Sequence, residues 1–181
     1  MSGLFDFIKY MFDAQKEIPN SSTYILPEPH QNNRRSPKLK RDERIEEEIL
    51  MIAPRFSSHG GIYFDEQNKD WLMIPKYPLP ERWKERWCKL MIVFPNTYPD
   101  TPPIGFYLNR KFNLKKGRTD NHLVGQAYHG APNLLEQGWH WYCVRMEANS
   151  QGGWQPSGDC TKPDNLWTYL NMVRESLTND V

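Results

Sequence analysis

The sequence lacks the long apolar run that a membrane-spanning helix needs. No stretch approaches the roughly 20 consecutive apolar residues that cross a bilayer. The apolar N-terminal segment, residues 4–12, is interrupted by Asp6 and Lys9, so it also lacks the unbroken core of a secretory signal. These absences predict a cytoplasmic protein that has no membrane as a partner.

Cysteine is scarce, and neither sign of charge is in excess. The three cysteines, an odd number without repeat spacing, form no disulfide framework and predict free thiols in a reducing compartment. Lys and Arg (23) nearly balance Asp and Glu (22), for a net charge of +1, so nucleic acid is not an expected partner. Phosphate-loop and dinucleotide fingerprints are absent, and no cofactor is expected.

Aromatic residues and prolines, in contrast, are abundant. The 7 Trp, 9 Tyr and 8 Phe can fill a sizeable core, and 15 Pro predict a loop-rich domain with short elements. Residues 4–16 have the pattern of an amphipathic helix, and residues 18–37 have the composition of a linker. We therefore expect a helix and linker over residues 1–35 and one folded domain over residues 36–181.

The folded part is predicted to begin with a helix and to continue with strands. Ser36 and Pro37 open a helix that stops before Pro54, with an apolar stripe of Leu39, Ile45, Ile49 and Ile52. The many charges of this helix predict either a solvated face or a docking surface. Strand patterns follow at residues 62–64, 71–74, 87–94 and 104–108. An irregular region over residues 111–160 and a last helix, Asn165–Leu177 with Asp164 as its cap, complete the chain. The pattern predicts an α+β fold, an antiparallel meander flanked by helices.

Three segments resemble the ubiquitin-conjugating (UBC-like) family. Phe94–Phe106, FPNTYPDTPPIGF, matches the family's FPxxYPxxPP signature; its residues Pro95–Pro103 are called the proline turn below. Trp141–Val144, WYCV, is similar to the segment that holds the family's active-site cysteine. Trp154–Pro156 is similar to the family's W-x-P element. The resemblance covers roughly residues 36–177. It implies a UBC-like four-stranded meander, and it implies that Trp141, Trp154 and Pro156 form the active-site wall.

The resemblance assigns the chemistry to Cys143. Acyl transfer through a thioester needs an accessible sulfur that acts first as nucleophile and later as leaving group. Cys143 lies among the loop signals Gly138, Gly152 and Gly153, whereas Cys88 lies inside an apolar strand and is expected to be inert. A purely structural thiol is the alternative for Cys143.

Three residues, His129, Asn133 and His140, are candidates to assist the cysteine. The family uses a His-Pro-Asn triplet, and its nearest equivalent here runs from His129 to Asn133, stretched by two residues. Asn133 would donate a hydrogen bond to the oxyanion. His140, three residues before Cys143, would tune the thiol or deprotonate an incoming amine. Because residues three apart on a strand face opposite sides, His140 requires a turn to reach the cysteine. For each histidine the alternative is a plain hydrogen-bonding role in the fold.

The resemblance also suggests a biological setting. The short C-terminal part after Pro156 and the diverged sequence are similar to C-terminally truncated bacterial members, some of them linked to cGAS-like antiphage (CBASS) systems. We therefore expect an acyltransferase whose cargo is a ubiquitin-like protein or the C-terminus of a cGAS-like nucleotidyltransferase. One alternative is a non-catalytic UBC-like module that docks a partner protein. Another is a zinc site of His129, His140, Cys143 and Cys160, which the absence of close ligand pairs disfavours, so no metal is predicted.

Overall fold

A computed structural model describes residues 37–115, 123–124, 126–144 and 153–179. The helix and linker predicted over residues 1–35 lie outside this part of the chain. Neither α-helix in the described part combines the length and the apolar character that a bilayer crossing demands. The described residues have an α+β architecture with an antiparallel sheet, which confirms the predicted fold class.

The described elements are two α-helices, six strands and two 3₁₀ helices, the last at Ala53–His59 and Leu135–Gln137. The α-helices and strands are labelled below. In chain order they are α1 (Pro37–Ile52), β1 (Tyr63–Phe64), β2 (Trp71–Pro78), β3 (Trp87–Val93), β4 (Gly105–Leu108), β5 (Leu123–Val124), β6 (His140–Cys143) and α2 (Leu166–Thr178). The sheet order is β1-β2-β3-β4-β6-β5, and every neighbouring pair is antiparallel.

The sheet is larger than the predicted four strands. The strands β5 and β6 lie inside residues 111–160, which the sequence pattern left irregular. They are two and four residues long, too short for an alternating pattern to reveal them. The strand β6 pairs with β4 over its full length, so it extends the sheet beside the proline turn.

Alternation along the strands separates two apolar clusters, one on each face of the sheet. The helix-side cluster packs α1 and α2 against the sheet through residues that include Ile45, Ile49, Ile52, Val173, Leu72, Ile92, Phe106 and Tyr142. The opposite cluster, called the outer cluster below, consists of Trp71, Met73, Met91, Tyr107, Leu134, Trp139 and Trp141. The predicted apolar stripe of the first helix is therefore confirmed at its three isoleucines.

The charged residues of α1 do not all face solvent. Arg41, Arg44 and Glu48 are buried, so neither a solvated face nor a docking surface describes them. The Arg41 guanidinium donates to backbone carbonyls, among them that of Pro95 at 3.1 Å. Both predictions were wrong here because, besides the Arg44–Glu48 pair within the helix, these side chains have partners far away in the sequence, such as the Ser157 carbonyl and the Tyr98 hydroxyl, and a helical pattern gives no sign of them.

The helix α2 begins one residue later than predicted. Its N-cap is Asn165, whose backbone is extended and whose side chain accepts a hydrogen bond from the Thr168 backbone N–H at 2.9 Å. Asp164 was the predicted cap. Its backbone is instead left-handed, with φ 64°, and its carboxylate accepts from the backbone N–H of Gln155 at 2.8 Å.

Candidate active site

Cys143 is the last residue of β6 and pairs with Gly105 of β4. Alternation turns its side chain to the face of the outer cluster, where it packs half-buried. A Cβ atom at Gly105 would lie 2.5 Å from both Trp141 Nε1 and the Tyr142 carbonyl oxygen. Glycine is therefore required for β4 and β6 to approach this closely beside the cysteine.

A cavity of about 360 Å³ opens beside the sulfur. It is lined by Thr101–Ile104, His129, Cys143 and Val144. The first of these segments is the end of the proline turn and the residue that follows it, so the signature in the sequence forms one wall of the cavity. Among the lining residues, His129 and Cys143 are the two that can gain or lose a proton near neutral pH.

A tight turn brings His129 to this cavity. The Ala131 backbone N–H donates to the Tyr128 carbonyl at 3.1 Å, and this bond closes the four-residue segment Tyr128–Ala131, called the His129 turn below. Its central residues, His129 and Gly130, have φ of 58° and 82°. Two positive φ values define a type I′ turn, and histidine is among the non-glycine residues that adopt this region more readily.

The other two predicted assisting residues lie elsewhere. Asn133 is exposed, and its Oδ1 accepts from the Leu135 backbone N–H at 3.4 Å. His140 begins β6, so alternation turns its side chain to the helix-side face with Tyr142, away from Cys143. Burial lowers the pKa of His140. The structure therefore brings His129 together with the cysteine and separates His140 from it by the sheet.

None of the three predicted wall residues is among those that line the cavity. Trp141 is almost fully buried in the outer cluster, and its ring meets Tyr128 of the His129 turn edge-on, with centroids 6.1 Å apart. Trp154 donates from Nε1 to the Pro99 carbonyl within the proline turn. Pro156 follows two residues later and is half-buried. Trp141 thus supports the turn on one side, and Trp154 supports the proline turn on the other.

The remaining cysteines have different surroundings. Cys88 is buried, its thiol donates to the Tyr77 carbonyl at 3.7 Å, and burial raises its pKa, which confirms the prediction of an inert core thiol. Cys160 is half-buried, and burial, together with nearby Glu47, raises its pKa. None of the three cysteines forms a disulfide.

The described residues contain no group of three or more His, Cys, Asp or Glu placed to hold a metal ion. Of the four residues in the zinc alternative, His129 and Cys143 share the cavity. His140 points to the other face of the sheet, as its position on β6 requires.

Two residues that shape the site were not identified from the sequence. Gly105 was visible as an isolated glycine within a strand pattern, which is a known sign of close backbone approach. Tyr107 also lies on β4, and its hydroxyl donates to the Pro132 carbonyl at 2.7 Å. Nothing in the sequence pattern marks that contact, because it joins residues 25 positions apart.

The antiparallel sheet, the proline turn beside it and a half-buried cysteine at a strand end together define a UBC-like domain. The family profile of prokaryotic E2 family E matches residues 55–180, more than two thirds of the chain. The chain belongs to this family of ubiquitin-conjugating-like proteins, and the predicted membership of a bacterial UBC-like group is confirmed. Searches of curated proteins and of solved structures found no match.

Proposed function

We propose that the protein is a ubiquitin-conjugating-type acyltransferase that carries its cargo as a thioester on Cys143. The observation that carries this proposal is the cavity that Cys143 and His129 line together, against the end of the proline turn. A half-buried thiol at the edge of such a cavity remains reachable by an acyl donor, while Cys88 in the core does not. Membership of an E2 family supports the same chemistry.

The reaction would proceed in two steps. In the first, the Cys143 thiolate attacks the activated carbonyl carbon of the cargo's C-terminus, a C–S bond forms, and the activating group leaves with the electron pair of its bond. In the second, an amine attacks the thioester carbonyl, a C–N bond forms, and the C–S bond breaks to return the thiolate. The attacking amine gives up a proton, for which a base near the sulfur is needed.

His129 is our candidate for that base, because it lines the same cavity as Cys143. Asn133 belongs to the same loop and remains our candidate for a hydrogen-bond donor to the oxyanion. We assign no proton transfer to His140, whose side chain lies on the other face of the sheet. The cavity lining contributed by Thr101–Ile104 and Val144 would limit water around the thioester.

The cargo in this proposal is a protein with a free C-terminus, either a ubiquitin-like protein or a cGAS-like nucleotidyltransferase. The biological role would be bacterial antiphage defence of the CBASS type. Support comes from the prokaryotic family to which the chain belongs and from the resemblance of its sequence to such members. The partner would be activated by another enzyme, because no adenylating motif occurs in the sequence.

A transthioesterification assay tests the chemistry without knowledge of the cargo. The full chain is incubated with a glycine-terminated peptide α-thioester, and adducts are measured by intact mass before and after hydroxylamine. We expect a hydroxylamine-sensitive adduct on the wild type and on Cys160→Ser, the matched control at a half-buried thiol. We expect none on Cys143→Ala. Aminolysis of the adduct should slow by about 100-fold or more in His129→Ala, the usual contribution of a general base.

Two results would contradict the proposal. The first is an equal adduct on Cys143→Ala, and the second is no adduct on the wild type with either this thioester or an activated C-terminal protein. The second result would favour the non-catalytic module that docks a partner protein.

A further inference from the structure

The His129 turn is held at both ends by one cross-strand pair. Tyr107 of β4 and Trp141 of β6 lie directly opposite each other in the sheet register. At the start of the turn, the ring of Tyr128 meets the Trp141 ring edge-on. Just after the turn, the Pro132 carbonyl accepts a hydrogen bond from the Tyr107 hydroxyl at 2.7 Å. The loop that carries His129 is therefore fastened to the sheet at two points.

Between these two points the backbone has little freedom. The hydrogen bond from the Ala131 N–H to the Tyr128 carbonyl closes the turn. The pyrrolidine ring of Pro132 fixes its own φ, and it also restricts the backbone of Ala131 before it. Fixing the Pro132 carbonyl therefore also limits where His129 can lie, three residues earlier in the chain.

The Tyr107 hydroxyl is suited to act as a permanent anchor. The side chain is 1% exposed, and a buried hydroxyl is costly unless it is hydrogen-bonded. Burial raises the pKa of Tyr107 far above neutral pH, so the group stays protonated and donates. Tyr107 lines a neighbouring cavity of about 290 Å³ together with Gly130 and Pro132, and it does not line the cavity of Cys143. Because Cys143 also packs against the outer cluster that contains Tyr107, the test below compares Tyr107→Phe with and without His129, which separates an effect through the loop from a direct one.

We propose that Tyr107 is the positioning residue of the active site: through the Pro132 carbonyl, its hydroxyl holds the His129 imidazole beside the Cys143 sulfur. The inference rests on the proposed function for the role of His129, whereas the contact itself is a feature of the fold. The cavity lining adds no further charged group beside this pair. Tyr169, fully buried and within electrostatic range of Cys143, stays neutral because burial raises its pKa.

The test measures the reactivity of the Cys143 thiol, which requires no cargo. The chain with Cys160→Ser is alkylated with iodoacetamide from about pH 5 to about pH 9, where imidazole and thiol groups titrate, and intact mass gives the rate. Tyr107→Phe removes only the hydroxyl. Tyr142→Phe is the matched control, because its hydroxyl also donates to a backbone carbonyl, that of Ser176 at 3.1 Å, but on the helix-side face.

We expect Tyr142→Phe to keep the wild-type alkylation profile and Tyr107→Phe to move toward the profile of His129→Ala. The rate at neutral pH should change by about two- to tenfold, which corresponds to the loss of one net hydrogen bond. Adding Tyr107→Phe to His129→Ala should change nothing more, because the hydroxyl then has no imidazole to position.

Three results would overturn the inference: a Tyr107→Phe profile equal to the wild type, an equal effect of Tyr107→Phe with and without His129, or a His129→Ala profile equal to the wild type. Each of these can occur while Cys143 still forms a thioester. Conversely, coupled effects of Tyr107 and His129 without thioester formation would uphold the inference and refute the proposed function.

Discussion

Replacing Glu48 with alanine would remove one buried carboxylate from three hydrogen-bond donors at once. Its Oε1 accepts from Arg44 Nε, and its Oε2 accepts from the Tyr98 hydroxyl and from the Leu166 backbone N–H. These donors belong to α1, to the proline turn and to the first turn of α2. Because Glu48 is fully buried and Arg44 is 7% exposed, the variant would leave a cation in the interior without its counter-ion.

The stability that Glu48→Ala is expected to lose follows from the burial of Glu48 and Arg44. Removing one partner of a buried ion pair costs about 3–5 kcal/mol, because the remaining charge stays desolvated. The Ser157 carbonyl still accepts from Arg44 at 2.9 Å, so we take the lower end of the range, about 3 kcal/mol. For a domain of this size each kcal/mol shifts Tm by about 2–4 °C, which gives a decrease of about 6–12 °C.

Thermal unfolding followed by circular dichroism measures this shift, and urea titration gives the corresponding free energy of unfolding. Glu47→Ala, one residue earlier on the exposed face of α1, is the matched control and should stay within about 0.5 kcal/mol of the wild type. Combining Arg44→Met with Glu48→Leu should recover part of the loss, since it removes both charges. Equal melting temperatures for Glu48→Ala and Glu47→Ala would refute the reasoning.

Two further predictions concern β6, the strand that bears the cysteine, and its neighbour β4. Gly105→Ala should lower the free energy of unfolding by about 1–3 kcal/mol, because the added Cβ would lie 2.5 Å from the Trp141 indole nitrogen. Gly158→Ala is the matched control: its Cβ meets nothing within 4 Å, so its free energy of unfolding in the same urea titration should be nearly that of the wild type. Equal effects of the two alanines would contradict this. Burial lowers the pKa of His140 below its ordinary value of 6.5, so the folded state binds a proton at this imidazole less readily than the unfolded state does. The stability that neutral His140 contributes is therefore present above pH 6.5, and it is lost as the pH falls through the lowered pKa. His140→Gln should flatten this acid limb in urea titrations at several pH values, and an acid limb as steep in the variant as in the wild type would contradict this reasoning.

The sequence was most informative where elements are long. The apolar stripe of α1 and the continuous apolar runs of β2 and β3 predicted their elements because each run is long enough to be recognised from local sequence. The strand β6 has four residues, and its place in the sheet depends on pairing with β4 more than thirty residues earlier. The local sequence pattern does not reveal such long-range pairing, so the strand that holds Cys143 lies in a region that was predicted to be irregular.

The accessible position of Cys143 was predictable from the sequence, and its neighbours were less so. The family resemblance pointed to Cys143, and the structure gives that residue a half-buried place at a cavity. Spacing alone favoured His140, since it lies three residues from the cysteine, whereas His129 lies fourteen residues away. The type I′ turn at His129 brings the more distant histidine to the cavity. The burial of the charges of α1 escaped prediction for the same reason, since partners such as the Ser157 carbonyl and the Tyr98 hydroxyl come from distant segments.

The position of the cysteine at the end of a four-residue strand has a consequence for how this sequence can vary. Successive side chains of β6 point alternately to its two faces, so losing or gaining one residue within it would exchange Tyr142 and Cys143. The sulfur would then enter the interior against the helices, and an aromatic ring would occupy the open face. Length changes in descendants of this chain are therefore tolerable only outside the strand, where the pairing with Gly105 is left undisturbed.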